Sequence, residues 1–477
     1  MIKKMSREKE LVKNTFIISV GRFLPKVFTF ITLPILTAYL SKREYGTYDL
    51  ISTLVMLAVP IATLQIQSAA FRFLIDCRGN IERSSEIITN IFVVTIPISF
   101  VVSFIIQFFF SEWNGSIRIL IAVYFFLDTI FLTIAQVARG IGNNKAYSIS
   151  SIIASATSMI ALVVTVFWLR SGLLGVVITL SLSRFISTVY LIYKIDFFSY
   201  LSNRKISIQC VKELLAYSWP MVPNNLSGWV LKLSDRLVIT GFLGIEANAV
   251  YGVANKIPNL LLTAHGILIM AWHENASIAV DDEDSDKYYT KMLDIIFSLV
   301  FGYTVLLIAA TPFLFKILIR GDYAEAYFQV PVLILAMFFN VMASYFGGIY
   351  IAHKRTANVG ISTMVAAGIN LAVDLIFVNI IGIWAGSIST LVAYTGLYFY
   401  RMFNCQKFQK INVNYGKQAG MIAIVIALVI CCMMKNTFLN IVNIVAALAV
   451  FWIFNKEIAK SAFNAVKRKL RIKLEKI

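Results

Sequence analysis

A chain of 477 residues that is 59% hydrophobic and only 14% charged is too apolar for a soluble globule, whose charged share is nearer a quarter. Its mean hydropathy of +0.78 points to a polytopic membrane protein. The net charge of +18 would suit a nucleic-acid partner only if the basic residues clustered on one solvated face, and they do not.

Fourteen apolar stretches fill the chain, most of them near the length of one crossing of a hydrocarbon core about 30 Å thick. The first, 15–39, holds Arg22 and Lys26 four residues apart, hence on one helix face, together with Pro25 and Pro34. Each proline removes a backbone donor and kinks its helix. The second, 48–73, ends on Arg72, close enough to its terminus to snorkel to headgroups. Stretches 87–110, 117–137, 147–168 and 173–193 follow, with Asp128 in the fourth and Arg184 in the sixth.

The seventh stretch, 214–241, has Pro220 and Pro223 at its entry and then Lys232, Asp235 and Arg236. Lys232 and Arg236 share a face, whereas Asp235 and Arg236 are sequence neighbours and point apart. The eighth, 249–273, contains Lys256 and His265. The remaining stretches are 290–315, 327–349, 357–379, 383–402, 418–434 and 438–454, and Asn370 and Asp374 form a polar stripe on the eleventh.

Counting lysines and arginines between stretches, with the marginal Lys291 and with Arg401 as the start of a loop 401–417, gives 29 on the side of the N-terminus, 7 on the other side and 7 within the stretches. The positive-inside rule then places both termini in the cytoplasm, and most of the positive charge is topology. The broken first stretch reads as a span and not as a cleaved signal peptide. Cys77, Cys210 and Cys405 fall on the cytoplasmic side, with Cys431 and Cys432 in a span. That pattern makes neither a disulfide framework nor a metal site.

A weak repeat runs through the chain. At an offset of 203, Glu10 matches Glu213, Thr37 matches Thr240, Leu40 matches Leu243 and Tyr48 matches Tyr251. At an offset of 210, Gly172 matches Gly382 and Ile178 matches Ile388. The expected fold is an all-α membrane protein of about 14 transmembrane helices. Residues 1–200 and 205–404 form two six-helix lobes as parallel repeats around a central cavity, and 405–454 adds two helices. In the tail, 455–477, apolar residues recur every three or four positions among lysines and arginines. This predicts a basic amphipathic helix on the anionic inner leaflet.

A cation facing hydrocarbon costs roughly 2.5–3.5 kcal/mol on the lenient insertion scale, so Arg22, Lys26, Arg184 and Lys256 together would cost on the order of 10–14 kcal/mol. They must face a wet cavity or a counter-charge. A cavity lined by Arg22, Lys26, Arg72, Arg184, Lys232, Arg236 and Lys256 would suit a substrate bearing phosphate or pyrophosphate, which Arg grips through a planar fork and Lys as a point charge. The competing reading is neutralisation by Asp49, Asp128, Asp235, Asp294 or Asp374. Asp128, Asp235, His265 and Asp374 are the candidate coupling residues, each with a structural alternative as a helix-to-helix hydrogen-bonding group.

Several motifs resemble the polysaccharide flippase branch of the multidrug, oligosaccharidyl-lipid and polysaccharide exporter superfamily. They are Lys13 to Phe16, Leu40 to Tyr48 (LSKREYGTY), Ser234-Asp235-Arg236, Leu243-Gly244, Val250-Tyr251 and Gly382 to Ser387. Ala249 stands where many members have Gly.

The resemblance implies a bacterial plasma-membrane protein that moves an undecaprenyl-pyrophosphate-linked oligosaccharide to the outer leaflet by alternating access. It implies no covalent chemistry, no cofactor, and coupling to H+ or Na+. Its partners would be that lipid-linked substrate, membrane lipids, and the polymerase and assembly proteins of polysaccharide synthesis. The rivals are a cation-coupled multidrug exporter of the same fold, which would need an acidic or aromatic cavity, and a membrane glycosyl polymerase, which would need a large catalytic outer loop.

Overall fold

Hydrocarbon offers no water to an unpaired backbone group, so a chain this apolar must close its hydrogen bonds within helices or a barrel. The computed structural model describes residue 21 and residues 23–474, and among them there is no strand. The helices are α1 (Phe23–Tyr39), α2 (Lys42–Ala62), α3 (Ile66–Asp76), α4 (Ile81–Ile106), α5 (Gly115–Gly140), α6 (Asn144–Leu162), α7 (Gly172–Lys194) and α8 (Ile208–Ser218). They continue with α9 (Met221–Leu243), α10 (Ile245–Ala254), α11 (Asn259–Ala279), α12 (Ser285–Leu318), α13 (Ala324–Ala352), α14 (Thr356–Ile381), α15 (Trp384–Cys405), α16 (Tyr415–Met433) and α17 (Thr437–Leu474).

Among the described residues, nine helices are long and apolar enough to cross a membrane: α4 to α7, α12 to α14, α16 and the first part of α17. The other five expected spans fall on α1, on α2 with α3, on α8 with α9, on α10 with α11, and on α15. They carry most of the intramembrane charge, and three of them are broken. Leu64 and Gln65 take positive φ values of 46° and 60° after Pro60, so the second span is two helices. Pro220 and Pro258 begin α9 and α11 as N-cap residues, positions at which a missing backbone donor is harmless.

The helices form two units. One comprises the described residues up to Ala249 with Leu318–Asp322, the other Val250–Ile317 with the chain from Tyr323 onward. In the first unit, Ile87, Ile91, Phe131, Ile134, Leu191 and Leu214 form one buried apolar cluster. Val55, Val59, Ile121, Phe125 and Val177 form another.

The LSKREYGTY segment fastens one end of the first unit. Glu44 Oε2 accepts from the Ser41 amide and hydroxyl, each at 2.9 Å. Its Oε1 accepts from the Leu173 amide at 3.0 Å, capping α7. Lys42 pairs with Asp322 and Arg43 with Glu112, both at 2.7 Å. Gly46 lies so near the Ile245 carbonyl that a Cβ would collide with it, and its own carbonyl accepts from Asn248 Nδ2 at 3.2 Å. A glycine is required there by contact and not by turn geometry.

The second unit is built around α13, whose apolar window is 83% buried, against 50% for α5 in the first. Aromatic packing accounts for the difference. Trp272 stacks on Tyr345 with ring centroids 4.5 Å apart and donates from Nε1 to the Tyr345 carbonyl at 2.8 Å. The Tyr345 hydroxyl donates to the Tyr289 carbonyl at 2.6 Å and that of Tyr289 to the Ala276 carbonyl at 2.7 Å. The polar tips of these three rings thus each have an acceptor.

Candidate functional site

The cations and hydroxyls of α1, α6 and α7 meet in a cavity of about 500 Å³ inside the first unit, a size within the range of roughly 300–1,000 Å³ usual for small-molecule sites. Lys26 comes from α1 and Arg184 from α7, with Tyr48 of α2 and Tyr147 of α6 also on the wall. Ser151, Ser155 and Ser158 supply the α6 side. Their spacing of four and three residues puts them on one helix face.

Arg184 satisfies both conditions set by its charge: it borders the cavity, and its Nε donates to Asp128 Oδ1 at 2.5 Å. The Asp128 side chain is 4% exposed against 28% for Arg184, so the acid is withdrawn and the guanidinium is the accessible partner. Phe131 lies beneath that guanidinium, 4.8 Å from ring centroid to Cζ. A buried pair of this kind adds little net stability, but removing one partner costs about 3–5 kcal/mol by stranding the other. Asp128 takes one of five guanidinium N–H donors. Lys26 is exposed on the same cavity.

The serines are prepared for acceptance. Ser155 donates to the Ser151 carbonyl at 2.7 Å and Ser151 to the Tyr147 carbonyl at 3.2 Å. Each hydroxyl oxygen therefore keeps lone pairs for ligand donors such as sugar hydroxyls. One wall suits an anion, and the adjoining wall suits a polyol.

The other sequence candidates lie apart from this cavity. Arg22 is outside the described residues, as is the Lys232 side chain. Arg72, half-exposed on α3, pairs with Asp76 at 2.5 Å one turn away. Arg236 on α9 lies 3.1 Å from the buried Asp49 of α2 and donates to Thr53 Oγ1 at 3.2 Å. Asp235 is buried on α9. Lys256 sits half-buried in the turn between α10 and α11. His265 is buried on α11, with neither ring nitrogen hydrogen-bonded among the described residues. Asp374 of α14 accepts from Ser389 Oγ of α15 at 3.0 Å, and Asn370 donates to the same hydroxyl at 3.1 Å.

One intramembrane cation escaped the sequence reading. Arg401, taken there as the start of a loop, lies inside α15 and is 5% exposed. It has no ion pair among the described residues. Its Nε donates to Ser362 Oγ at 3.0 Å, Nη1 to the Ala343 carbonyl at 3.1 Å, and Nη2 to the Val359 carbonyl at 3.1 Å and Thr363 Oγ1 at 2.9 Å. A Cβ at Gly347 would stand 3.1 Å from Nη1, so this glycine makes room for the guanidinium. The α6 serines were also passed over, although their spacing was there to be read.

Fold and site define a multi-pass α-helical membrane protein. The lipid II flippase MurJ in an inward closed conformation superposes with a TM-score of 0.70 at 14% identity, covering 94% of this chain and 100% of that one. An inward-facing multidrug-resistance MATE transporter gives 0.65 at 13% identity, covering 82% and 95%. A mutant MATE transporter from Vibrio cholerae gives 0.59 at 11% identity, covering 85% and 98%. No curated protein is similar enough to match the sequence. The family described as polysaccharide biosynthesis protein matches residues 11–273, and the chain belongs to that family.

Proposed function

We propose that the protein is a flippase carrying an undecaprenyl-pyrophosphate-linked oligosaccharide from the cytoplasmic to the outer leaflet of a bacterial plasma membrane. The observation that carries the reading is the convergence of Lys26, Arg184 and the serine face of α6 on one cavity. The cations hold the phosphate end, and the serines accept hydrogen bonds from the first sugars. The lipid tail stays in the bilayer. Two six-helix lobes, 1–200 and 205–404, move by alternating access, with both termini in the cytoplasm, and no cofactor or covalent step is required.

A multidrug exporter handling cationic drugs would need an available acid on the wall. No acid lines this cavity among the described residues, and Asp128, the acid paired with Arg184 of its wall, is withdrawn, which supports the anionic substrate. Asp128 is also the coupling candidate that touches the site. Protonation there would release the Arg184 guanidinium from its partner and so link an ion gradient to substrate binding.

Translocation in proteoliposomes tests this. With a fluorescent pyrophosphate-linked disaccharide lipid, Lys26→Gln should slow transfer at least tenfold, about 1.4 kcal/mol of lost anion binding. Lys407→Gln, at an exposed residue of the α15–α16 connector, should transfer at the parent rate. Equal rates for all three proteins would remove the cavity from the mechanism.

A further inference from the structure

Each unit carries a polar hollow at the same place in the helical repeat, between the first turns of one helix and the connector after α7 or α15. In the first unit the helix is α4 and the hollow is about 410 Å³. In the second it is α12 and the hollow is about 730 Å³. The two helices begin at Ile81 and Ser285. Counted from those starts, Arg83 corresponds to Lys287 and Glu86 to Thr290, while Lys205 and Lys410 take corresponding places on the connectors.

The charges are treated differently. In the first hollow Arg83 is bonded to Glu86 at 2.6 Å and lies 3.5 Å from Glu213, and Lys205 Nζ donates to the Glu82 carbonyl at 3.1 Å. Those two charges are satisfied within the hollow, while Arg204 on the same wall is exposed and has no ion pair among the described residues. In the second, the place of Glu86 is taken by Thr290, whose hydroxyl accepts from the Asn412 amide at 3.0 Å. Lys287 and Lys291 lie four apart on one face of α12 and Lys410 faces them from the connector. All three are exposed and none has an ion pair among the described residues. Of the two aspartates on the wall, Asp286 accepts from Gln409 Nε2 and Asp294 lies 3.6 Å from Lys417.

The connector is built to hold this shape. Gln406 bonds the Ile411 amide and carbonyl at 3.1 and 2.8 Å, and His353 Nε2 lies 2.8 Å from Gln409 Oε1. Ile295 closes one side of the hollow where the apolar run of α12 begins. Lysines thus face the polar end and hydrocarbon-compatible surface continues from the other, on the side that the charge bias assigns to the cytoplasm.

We propose that Lys287, Lys291 and Lys410 bind the phosphate of an anionic lipid headgroup, whose acyl chains follow α12 into the bilayer. Lysines near an anionic leaflet act as point charges on such phosphates. The site lies in the other unit from the Lys26 cavity and does not depend on the flippase reading.

Thermal unfolding of the full chain in detergent tests it, with phosphatidylglycerol, phosphatidylcholine or inorganic phosphate added. Phosphatidylglycerol should raise the unfolding temperature of the parent, and the half-saturating amount should be at least tenfold higher for Lys287→Gln/Lys291→Gln/Lys410→Gln. Lys407→Gln should respond as the parent does, and Lys291→Glu alone should weaken the response by repulsion. Equal responses of parent and triple variant would overturn the proposal. So would equal protection by phosphatidylcholine, or by inorganic phosphate, which would make the hollow a free-anion site.

Discussion

Arg184 in α7 and Arg401 in α15 lie one in each unit, the first with a side chain 28% exposed and the second 5% exposed. Arg184 has one carboxylate partner and borders a cavity. Arg401 donates to four neutral oxygens of α13 and α14 in a fully packed interior, with Gly347 leaving space for it. A cation within a span therefore identifies a site only together with its surroundings. Where the acceptors are neutral and complete it ties helices together, and where the partner is a single buried acid beside open space it remains available to a ligand. The interiors follow the same division: α13 is enclosed by stacked aromatic rings, whereas α5, which carries Asp128, is half buried.

The largest effect should come from stranding an acid. Arg184→Gln leaves Asp128 buried and uncompensated and should lower stability by about 3–5 kcal/mol, read from unfolding in detergent. Adding Asp128→Asn should recover most of that loss while transport stays low. If the double variant transports normally, Arg184 is as structural as Arg401.

Next in size is Arg401→Met, which deletes four hydrogen bonds and leaves a gap beside Gly347. The expected loss is about 2–4 kcal/mol, with transport per folded molecule unchanged. No second-site acid substitution should rescue it. A smaller cost, about 1 kcal/mol, is expected for Gly347→Ala, because the Arg401 guanidinium must shift by a few tenths of an ångström; a neutral result would mean that Arg401 is held less tightly than its four bonds imply.

The smallest prediction concerns packing outside the spans. Cys210 on α8 is 3% exposed, and burial pushes its thiol pKa up to about 11. A raised thiol pKa keeps the unreactive protonated form through neutral pH. Maleimide should therefore label Cys210 slowly at pH 7 to 8 in the folded protein and rapidly once it is unfolded. Cys210 packs where α8 meets α3 and α4, and fast labelling in the native state would show that this contact is open.

Much of the fold was legible because apolar length is a strong signal, and among the described residues eleven of the fourteen expected spans fall on one helix each. Lys26 and Arg184 were legible because each lies well inside an apolar stretch, away from its ends. Arg401 was lost because the apolar run of α15 weakens toward its end, so a positive residue there resembles the start of a loop. The break at Leu64 and Gln65 was not legible either, since neither residue is glycine or proline and the missing donor lies at Pro60. Nor does a single sequence reveal that Arg236 meets Asp49 across 187 positions, a pairing decided by how α9 packs on α2.

The central claim is that the Lys26 and Arg184 cavity holds the phosphate end of the substrate. The affinity of the protein in nanodiscs for an undecaprenyl-pyrophosphate disaccharide tests it most directly, compared among the parent, Lys26→Gln and Arg184→Gln/Asp128→Asn. The account predicts that both variants bind at least tenfold more weakly, with the unfolding temperature of Lys26→Gln unchanged. Parent-like affinity in both would contradict it.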